Sequence, residues 1–295
     1  MVNILNLLRS HHWTKNFLIF VPLLLSESII SLNSFLDHLY AFIGFSFAAS
    51  SVYIFNDLVD IENDLNHPIK KNRPIASGKF SYELAKNIFF ILLACSFLIS
   101  FLIGLEILLL IVFYILLNFA YTLYLKKIFL LDCIMLSFFY TARIIVGSII
   151  AQETPSFWLI LFSIFIFLSL ALSKRLQEIT LFSNNTKSHI LGRGYKINDS
   201  QLVKILGILF GAISTIVLYL YLNSEKALIV YKNFISIWLL LLFVFLWLSW
   251  IWLKTIRGEL SSDPLVFAFK DKISLLIVVC GVVTFFISKK IRFIF

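Results

Sequence analysis

The chain has 295 residues, 60% hydrophobic, 17% aromatic and only 14% charged, with a mean hydropathy of +0.96 and a formal charge of +9. Globular domains run to about 45–50% apolar and about a quarter charged, so a soluble enzyme is excluded, and unbroken apolar runs such as 88–103 and 235–253 exclude a transmembrane barrel, whose strands would alternate. In a membrane protein the positive excess belongs to loops beside anionic head groups, not to a nucleic-acid partner.

Taken in chain order, the apolar runs predict nine membrane spans, at about 17–31, 35–56, 83–103, 106–124, 129–150, 157–173, 202–222, 234–253 and 273–290. The fold class is therefore all-α, a polytopic helical bundle in a single domain over 1–295. No small-residue cleavage pattern follows the run 17–25, so the first span reads as retained. Tight joints are expected at Gly104–Glu106 and Gln152–Pro155, and long polar connections at Asp57–Tyr82 and Lys174–Gln201. In the nine-span topology 19 of the 25 Lys and Arg residues fall on the side of those two long connections, which the positive-inside rule makes cytoplasmic. The three cysteines, Cys95, Cys133 and Cys280, lie far apart in apolar segments and read as small core residues. Gly207 and Gly211 form a GxxxG that reads as close helix packing inside the bundle.

The most informative stretch is Asn56-Asp57-Leu58-Val59-Asp60-Ile61-Glu62-Asn63-Asp64, where the second span ends in carboxylates. On a continuing helix Asp57, Asp60 and Asp64 share one face, and their mutual repulsion near the membrane demands a positive partner. Mg²⁺ takes one or two carboxylates and completes its shell with water and phosphate oxygens, so a diphosphate site is expected, with Asp57, Asp60 and Asp64 as metal ligands. A solvated loop start would explain one such Asp; three on one stripe beside Asn56 favour a site. The basic stretch His67-Pro68-Ile69-Lys70-Lys71-Asn72-Arg73-Pro74 follows, in which Arg73 suits bidentate phosphate recognition, Lys70 or Lys71 supplies a point charge and His67 organises the loop.

Asn56-Asp57-x-x-Asp60-x-x-x-Asp64, then His67-Pro68 and Arg73-Pro74-Ile75-Ala76, resembles the first aspartate motif of the UbiA-type membrane prenyltransferase superfamily. Arg9-Ser10-His11-His12-Trp13-Thr14-Lys15-Asn16, Tyr121-x-x-x-Leu125-Lys126, Asp132, Arg143 and Leu191-Gly192-Arg193-Gly194-Tyr195 are most similar to its decaprenyl-phosphate phosphoribosyltransferase-like branch, over about residues 5–205. That resemblance implies Mg²⁺-dependent transfer of 5-phosphoribose from 5-phosphoribosyl 1-diphosphate to a polyprenyl phosphate, with release of diphosphate. It also implies a bacterial cytoplasmic membrane, a site facing the cytoplasm and a part in building the cell envelope.

Prenyl-transferring members carry a second acidic motif, where this chain offers only Asp132, among Tyr121, Tyr124, Lys126 and Lys127. Arg143 lies eleven residues beyond Asp132, about three helical turns and on the same face, so the two could form a structural ion pair, or serve metal or ribose and phosphate respectively; both readings stay open. Lys174 faces Glu178 across one turn, and the resemblance places Lys174 and Arg175 on phosphate. Arg193 sits between glycines that either let backbone approach a ligand or simply make a turn, and Lys15 either anchors its helix in head groups or, as the resemblance implies, contacts phosphate. Two rivals remain in view: a prenyltransferase acting from a polyprenyl diphosphate on an aromatic acceptor, which calls for a fuller second acidic motif, and a non-enzymatic lipid-phosphate transporter, which calls for polar residues along helix centres.

Overall fold

The computed structural model describes residues 2–26, 31–66, 70–183, 192–225, 227, 231, 234–260 and 263–288, and every regular element among them is helical. Helix α1 (Val2–Leu7) leads into a 3-10 helix (Ser10–Phe20) and a short α2 (Val21–Leu25). There follow α3 (Leu32–Val59), α4 (Ile61–Leu65), α5 (Tyr82–Ile103), α6 (Leu105–Leu123), α7 (Leu131–Ile150), α8 (Phe157–Ser183), α9 (Ser200–Leu222), α10 (Phe234–Ile256), α11 (Pro264–Lys270) and α12 (Lys272–Ser288). Among the described residues seven helices are long and apolar enough to cross a membrane, and α11 with α12, bent by 90°, make an eighth if the pair is one span.

The ends of these helices follow from local chemistry. Ser31 and Ser81 accept hydrogen bonds from the amides of Ser34 (3.1 Å) and Leu84 (3.3 Å), capping α3 and α5. Asp263 precedes Pro264 and accepts from the Leu265 amide at 3.3 Å, opening α11. The Asp271 carboxylate stands at the sharp bend, accepting from the Ser274 amide and from Trp250 Nε1, both at 2.8 Å.

The expected first span, 17–31, differs from a continuous α-helix. Its described part is a 3-10 helix to Phe20 and then the short α2, a long run for a geometry seldom kept beyond three or four residues. Its anchors recur every third residue. Trp13 donates to Ser50 Oγ at 3.0 Å, Asn16 donates to Ser46 Oγ at 2.8 Å, and a Cβ added at Gly147 would stand 2.0 Å from the Ile19 carbonyl. Three residues per turn keeps all three on one side, which 3.6 would not.

The chain divides into two compact units, Met1–Pro155 with Leu191–Tyr195, and Ser156–Ile190 with Lys196–Phe295. In the first, Phe45, Ala48 and Val52 of α3, Ile107, Ile111 and Tyr114 of α6, and Phe139 and Val146 of α7 form a shared core. Helix α5 turns Phe89, Leu92, Ser96 and Ser100 inward and leaves Ile91, Leu98, Phe101 and Leu102 outward, an apolar outer face that water would not tolerate and lipid does. In the second, Gly207 and Gly211 are backbone contact points: a Cβ at Gly207 would meet the Trp252 ring at 2.2 Å, and one at Gly211 would meet Ser169 Oγ at 3.0 Å. The GxxxG therefore packs helices within this unit.

Candidate active site

Helix α3 carries the acid motif to its end, and the motif then breaks the helix. Asp60 adopts φ −98° and ψ 13°, and α4 begins afresh at Ile61, so the continuous stripe of Asp57, Asp60 and Asp64 expected from the spacing does not form. Three carboxylates one above another would repel strongly; the break lets each turn to a cation. Arg73 Nη1 donates to Asp57 Oδ1 at 3.0 Å and to Asp64 Oδ2 at 2.7 Å, Arg9 Nη2 donates to Asp57 Oδ1 at 2.5 Å, and Asp60 pairs with Lys126 Nζ. Among the described residues no three His, Cys, Asp or Glu side chains stand as a ready-made metal cage. Burial, the largest influence, pushes the Asp64 carboxyl above the usual carboxylate range, with Arg73 pulling the other way. Burial likewise lowers the Lys126 ammonium below its ordinary value against the pull of Asp60.

These groups line a cleft together with their neighbours: its walls are Asn56, Asp60, Asn63, Asp64, Lys70, Arg73, Lys126, Gly192 and Arg193. Asp57 lies behind that lining, 3% exposed, and ties Arg9 to Arg73. The far wall comes from the turn between α6 and α7. There Lys126 reaches Asn56 Oδ1 at 3.4 Å as well as Asp60, and Thr122 reaches the same amide oxygen at 3.4 Å. Arg193 arrives from much later in the chain, donating to Tyr121 Oη at 2.7 Å, with its guanidinium 5.8 Å from the Tyr121 ring centre and 4.0 Å from Asp132. Its neighbouring glycines do different work. Gly192 takes φ +71°, while Gly194 lets the chain press on the Lys127 carbonyl, which a Cβ would meet at 2.2 Å.

Asp132 and Arg143 are not partners. Asp132 is 0% exposed and accepts the phenolic proton of Tyr195, itself wholly buried. Arg143, eleven residues on, donates to Asn16 Oδ1 at 2.7 Å, to the Phe139 carbonyl at 2.5 Å and to Tyr114 Oη at 3.4 Å, and lies 4.5 Å from the Phe45 ring centre. Lys15 is buried too, with Nζ 5.2 Å from the Tyr140 ring centre, so it does not anchor its helix in head groups; like Arg143 and Asp132 it is outside the cleft lining. Lys174 and Arg175 belong to the second unit, where Lys174 bonds Asp263 at 3.2 Å and Arg175, 1% exposed, bonds Glu178 at 2.5 Å. His67 and Pro68 lie outside the described residues.

Of the expected residues, Asn56, Asp60, Asp64, Lys70, Arg73, Lys126 and Arg193 thus share one cleft, and Asp57 and Tyr121 support it. Arg9, Asn63 and Tyr195 also belong to this constellation and were not singled out for roles. Arg9 has a signal: it takes φ +50° between α1 and the 3-10 helix, and although burial opposes its charge, Asp57 and its neighbours hold the guanidinium above its ordinary value.

The family model for the UbiA prenyltransferase family matches residues 18–270. The chain is 36% identical over 268 residues to the uncharacterized protein y4nM of Sinorhizobium fredii, covering 90% of this chain and 52% of that one. It is 30% identical to the nodulation protein NoeC of Azorhizobium caulinodans, covering 90% of this chain and 87% of that one. To the decaprenyl-phosphate phosphoribosyltransferase of Corynebacterium glutamicum it is 33% identical over 178 residues, 59% of this chain and 54% of that one. The chain therefore spans about half the length of y4nM and of the Corynebacterium protein. In fold it resembles a UbiA homolog from Archaeoglobus fulgidus, solved bound to GPP and Mg²⁺, with a TM-score of 0.68 over 95% of this chain and 98% of that one at 17% identity. Apolar helices fit to cross a bilayer, an acid motif folded around a cation-lined cleft and a family match over most of the sequence converge: the chain is an integral membrane protein of the UbiA prenyltransferase family.

Proposed function

We propose that this chain transfers 5-phosphoribose from 5-phosphoribosyl 1-diphosphate to a polyprenyl phosphate, releasing diphosphate. The observation that carries the reading is the composition of the cleft: four cationic side chains, Lys70, Arg73, Lys126 and Arg193, against two carboxylates, Asp60 and Asp64. A prenyl diphosphate presents one anionic end, whereas the phosphoribosyl donor adds a phosphate monoester carrying about −1.5 to −2 charge. Partial similarity to the Corynebacterium phosphoribosyltransferase supports the same choice.

The lining also suits a divalent cation. Asp60, Asp64, Asn56 and Asn63 offer only oxygen acceptors on their carboxylate and carbonyl groups, and Mg²⁺ needs one or two carboxylates with substrate phosphate oxygens completing its shell. Asp60 and Asp64 would hold it, with Asp57 behind them fixing Arg73. When bound, such an ion supplies charge neutralisation to the departing diphosphate. Arg73, held by two carboxylates, is pre-aimed to bind diphosphate oxygens, and Lys126 contributes a compact positive charge beside them. The acceptor is already an anion, so its phosphate oxygen attacks the anomeric carbon without giving up a proton, and no general base is required. In this reading Lys15 and Arg143 of the first unit serve the lipid phosphate, and the polyprenyl tail lies along the apolar helices. The concentration of Lys and Arg on the acid-motif side supports a cleft that opens to the cytoplasm of a bacterial inner membrane.

The test is direct. Full-length protein in detergent, given labelled phosphoribosyl diphosphate, polyprenyl phosphate and Mg²⁺, is expected to yield labelled lipid, and chelation of the metal to stop it. The family name and the GPP-bound structural relative favour a second reading, prenyl transfer to an aromatic acceptor. Absence of labelled lipid, with prenylation of an aromatic acid in a parallel reaction, would establish that reading in place of the first.

A further inference from the structure

The Gly192–Tyr195 segment is built into the first unit with more contacts than a turn requires. Tyr195 is buried against the Phe129 ring at 5.0 Å between centres, and its one hydroxyl proton goes to Asp132. With that proton committed, the phenol oxygen accepts from the Leu130 amide and from Cys133 Sγ, each at 3.3 Å. Leu130 itself sits at φ +63°, an uncommon conformation for a branched side chain, at the start of α7. Two residues before Tyr195, Arg193 emerges into the cleft against Tyr121, and between them Gly194 seats the chain on the Lys127 carbonyl.

We infer that Asp132 and Tyr195 form a latch that sets Arg193 in place, and that Arg193 reads the donor's second phosphate, the monoester remote from its diphosphate. The inference rests on the phosphoribosyl reading above. Asp57, Asp60 and Asp64 engage Arg9, Arg73 and Lys126, which puts the diphosphate end of the cleft at the acid motif. Arg193 comes from a separate segment, and its ion-pair contact is Asp132. A planar guanidinium held on a tyrosine is a bidentate reader of a phosphate, and a second phosphate is what the cleft's surplus of cations asks for. Asp132 is then a positioning residue rather than a metal ligand: it is fully buried, takes the Tyr195 proton and is absent from the cleft lining.

Calorimetric titration of full-length protein with two probes, phosphoribosyl diphosphate and inorganic diphosphate, each with Mg²⁺, tests this. Arg193→Gln is expected to weaken phosphoribosyl diphosphate about tenfold or more while leaving inorganic diphosphate within about twofold. Tyr195→Phe, which keeps the ring and removes the donor, should reproduce the selective loss at about a third of that size or more, and Arg193→Lys should recover part of it. A general loosening would lower both ligands together, so proportional losses, or no loss in Arg193→Gln, overturn the inference while the wild-type preference stands. A wild-type protein that binds the phosphoribosyl donor no better than inorganic diphosphate overturns the functional reading as well.

Discussion

The two compact units bury polar atoms in different ways. In the first, charges are buried and brought face to face: Asp57 and Asp64 with Arg73, Arg9 on Asp57, Lys126 on Asp60, and Arg143 held by neutral oxygens. In the second, much of the buried polarity is hydroxyl and indole that closes on backbone or on itself. Ser169 Oγ donates to the Gly207 carbonyl at 2.7 Å, Trp252 Nε1 donates to Ser169 at 2.9 Å, and Thr255 returns its proton to Ile251 at 2.7 Å. Its ion pairs among the described residues include Lys174–Asp263, Arg175–Glu178 and Lys254–Glu259. Burying a charge is expensive and is sustained where geometry or chemistry requires it; small residues and satisfied hydroxyls need no such compensation. The first unit gathers its shared buried charges at the candidate site, while in the second the glycines and hydroxyls described serve close packing.

Four measurements would break or sharpen that contrast. The largest effect is expected at Asp57→Ala, which leaves Arg9 and Arg73 together without their shared carboxylate; loss of one member of a buried pair costs about 3–5 kcal/mol, read as a lowered denaturation midpoint in detergent. An unchanged midpoint would remove the first unit's claim to a coupled charge network. Asp60→Asn should cut turnover more than about a hundredfold while lowering the midpoint less than Asp57→Ala does, because Asn keeps an oxygen for the buried Lys126 although it removes the counter-charge. Wild-type rates would show the acid motif to be structural. In the second unit, Gly207→Ala drives a methyl to within 2.2 Å of the Trp252 ring and should cost about 1–3 kcal/mol, while the protein that remains folded binds inorganic diphosphate normally. A selective loss of that binding would mean the second unit's packing also shapes the site. Smallest of all, Glu259→Gln removes a bridge whose carboxylate is 45% exposed and should leave both midpoint and turnover unchanged; a measurable drop would contradict the weakness expected of exposed pairs.

Much of this was legible before any coordinates. A run of apolar residues long enough to span lipid has few alternatives to a helix, since every backbone amide and carbonyl must find a partner within it. The acid motif, with Arg73 and Lys70 nearby, announces a site because carboxylates and cations at that density are not maintained by solvation alone. Helix breaks were less legible. The spacing of Asp57, Asp60 and Asp64 is helical, yet repulsion and the attraction of Lys126 turn Asp60 out of the helix. The 3-10 geometry of Ser10–Phe20 likewise depends on α3 and α7, whose Ser46, Ser50 and Gly147 accept contacts every third residue.

Asp132 shows the limit most plainly. Along α7 Arg143 shares its helical face but stands about 16 Å away, at about 1.5 Å of rise per residue; in space its partner is Tyr195, sixty-three positions away, and Arg143 turns to Asn16 and Tyr114. Composition and periodicity by themselves determined that the chain is a helical membrane protein with an acidic and basic site at the end of α3, because burial of apolar surface and saturation of backbone hydrogen bonds are local demands. Which cation neutralises which carboxylate was decided by tertiary structure alone, because a charge settles on whatever opposite group the folded chain brings within reach, however distant in sequence.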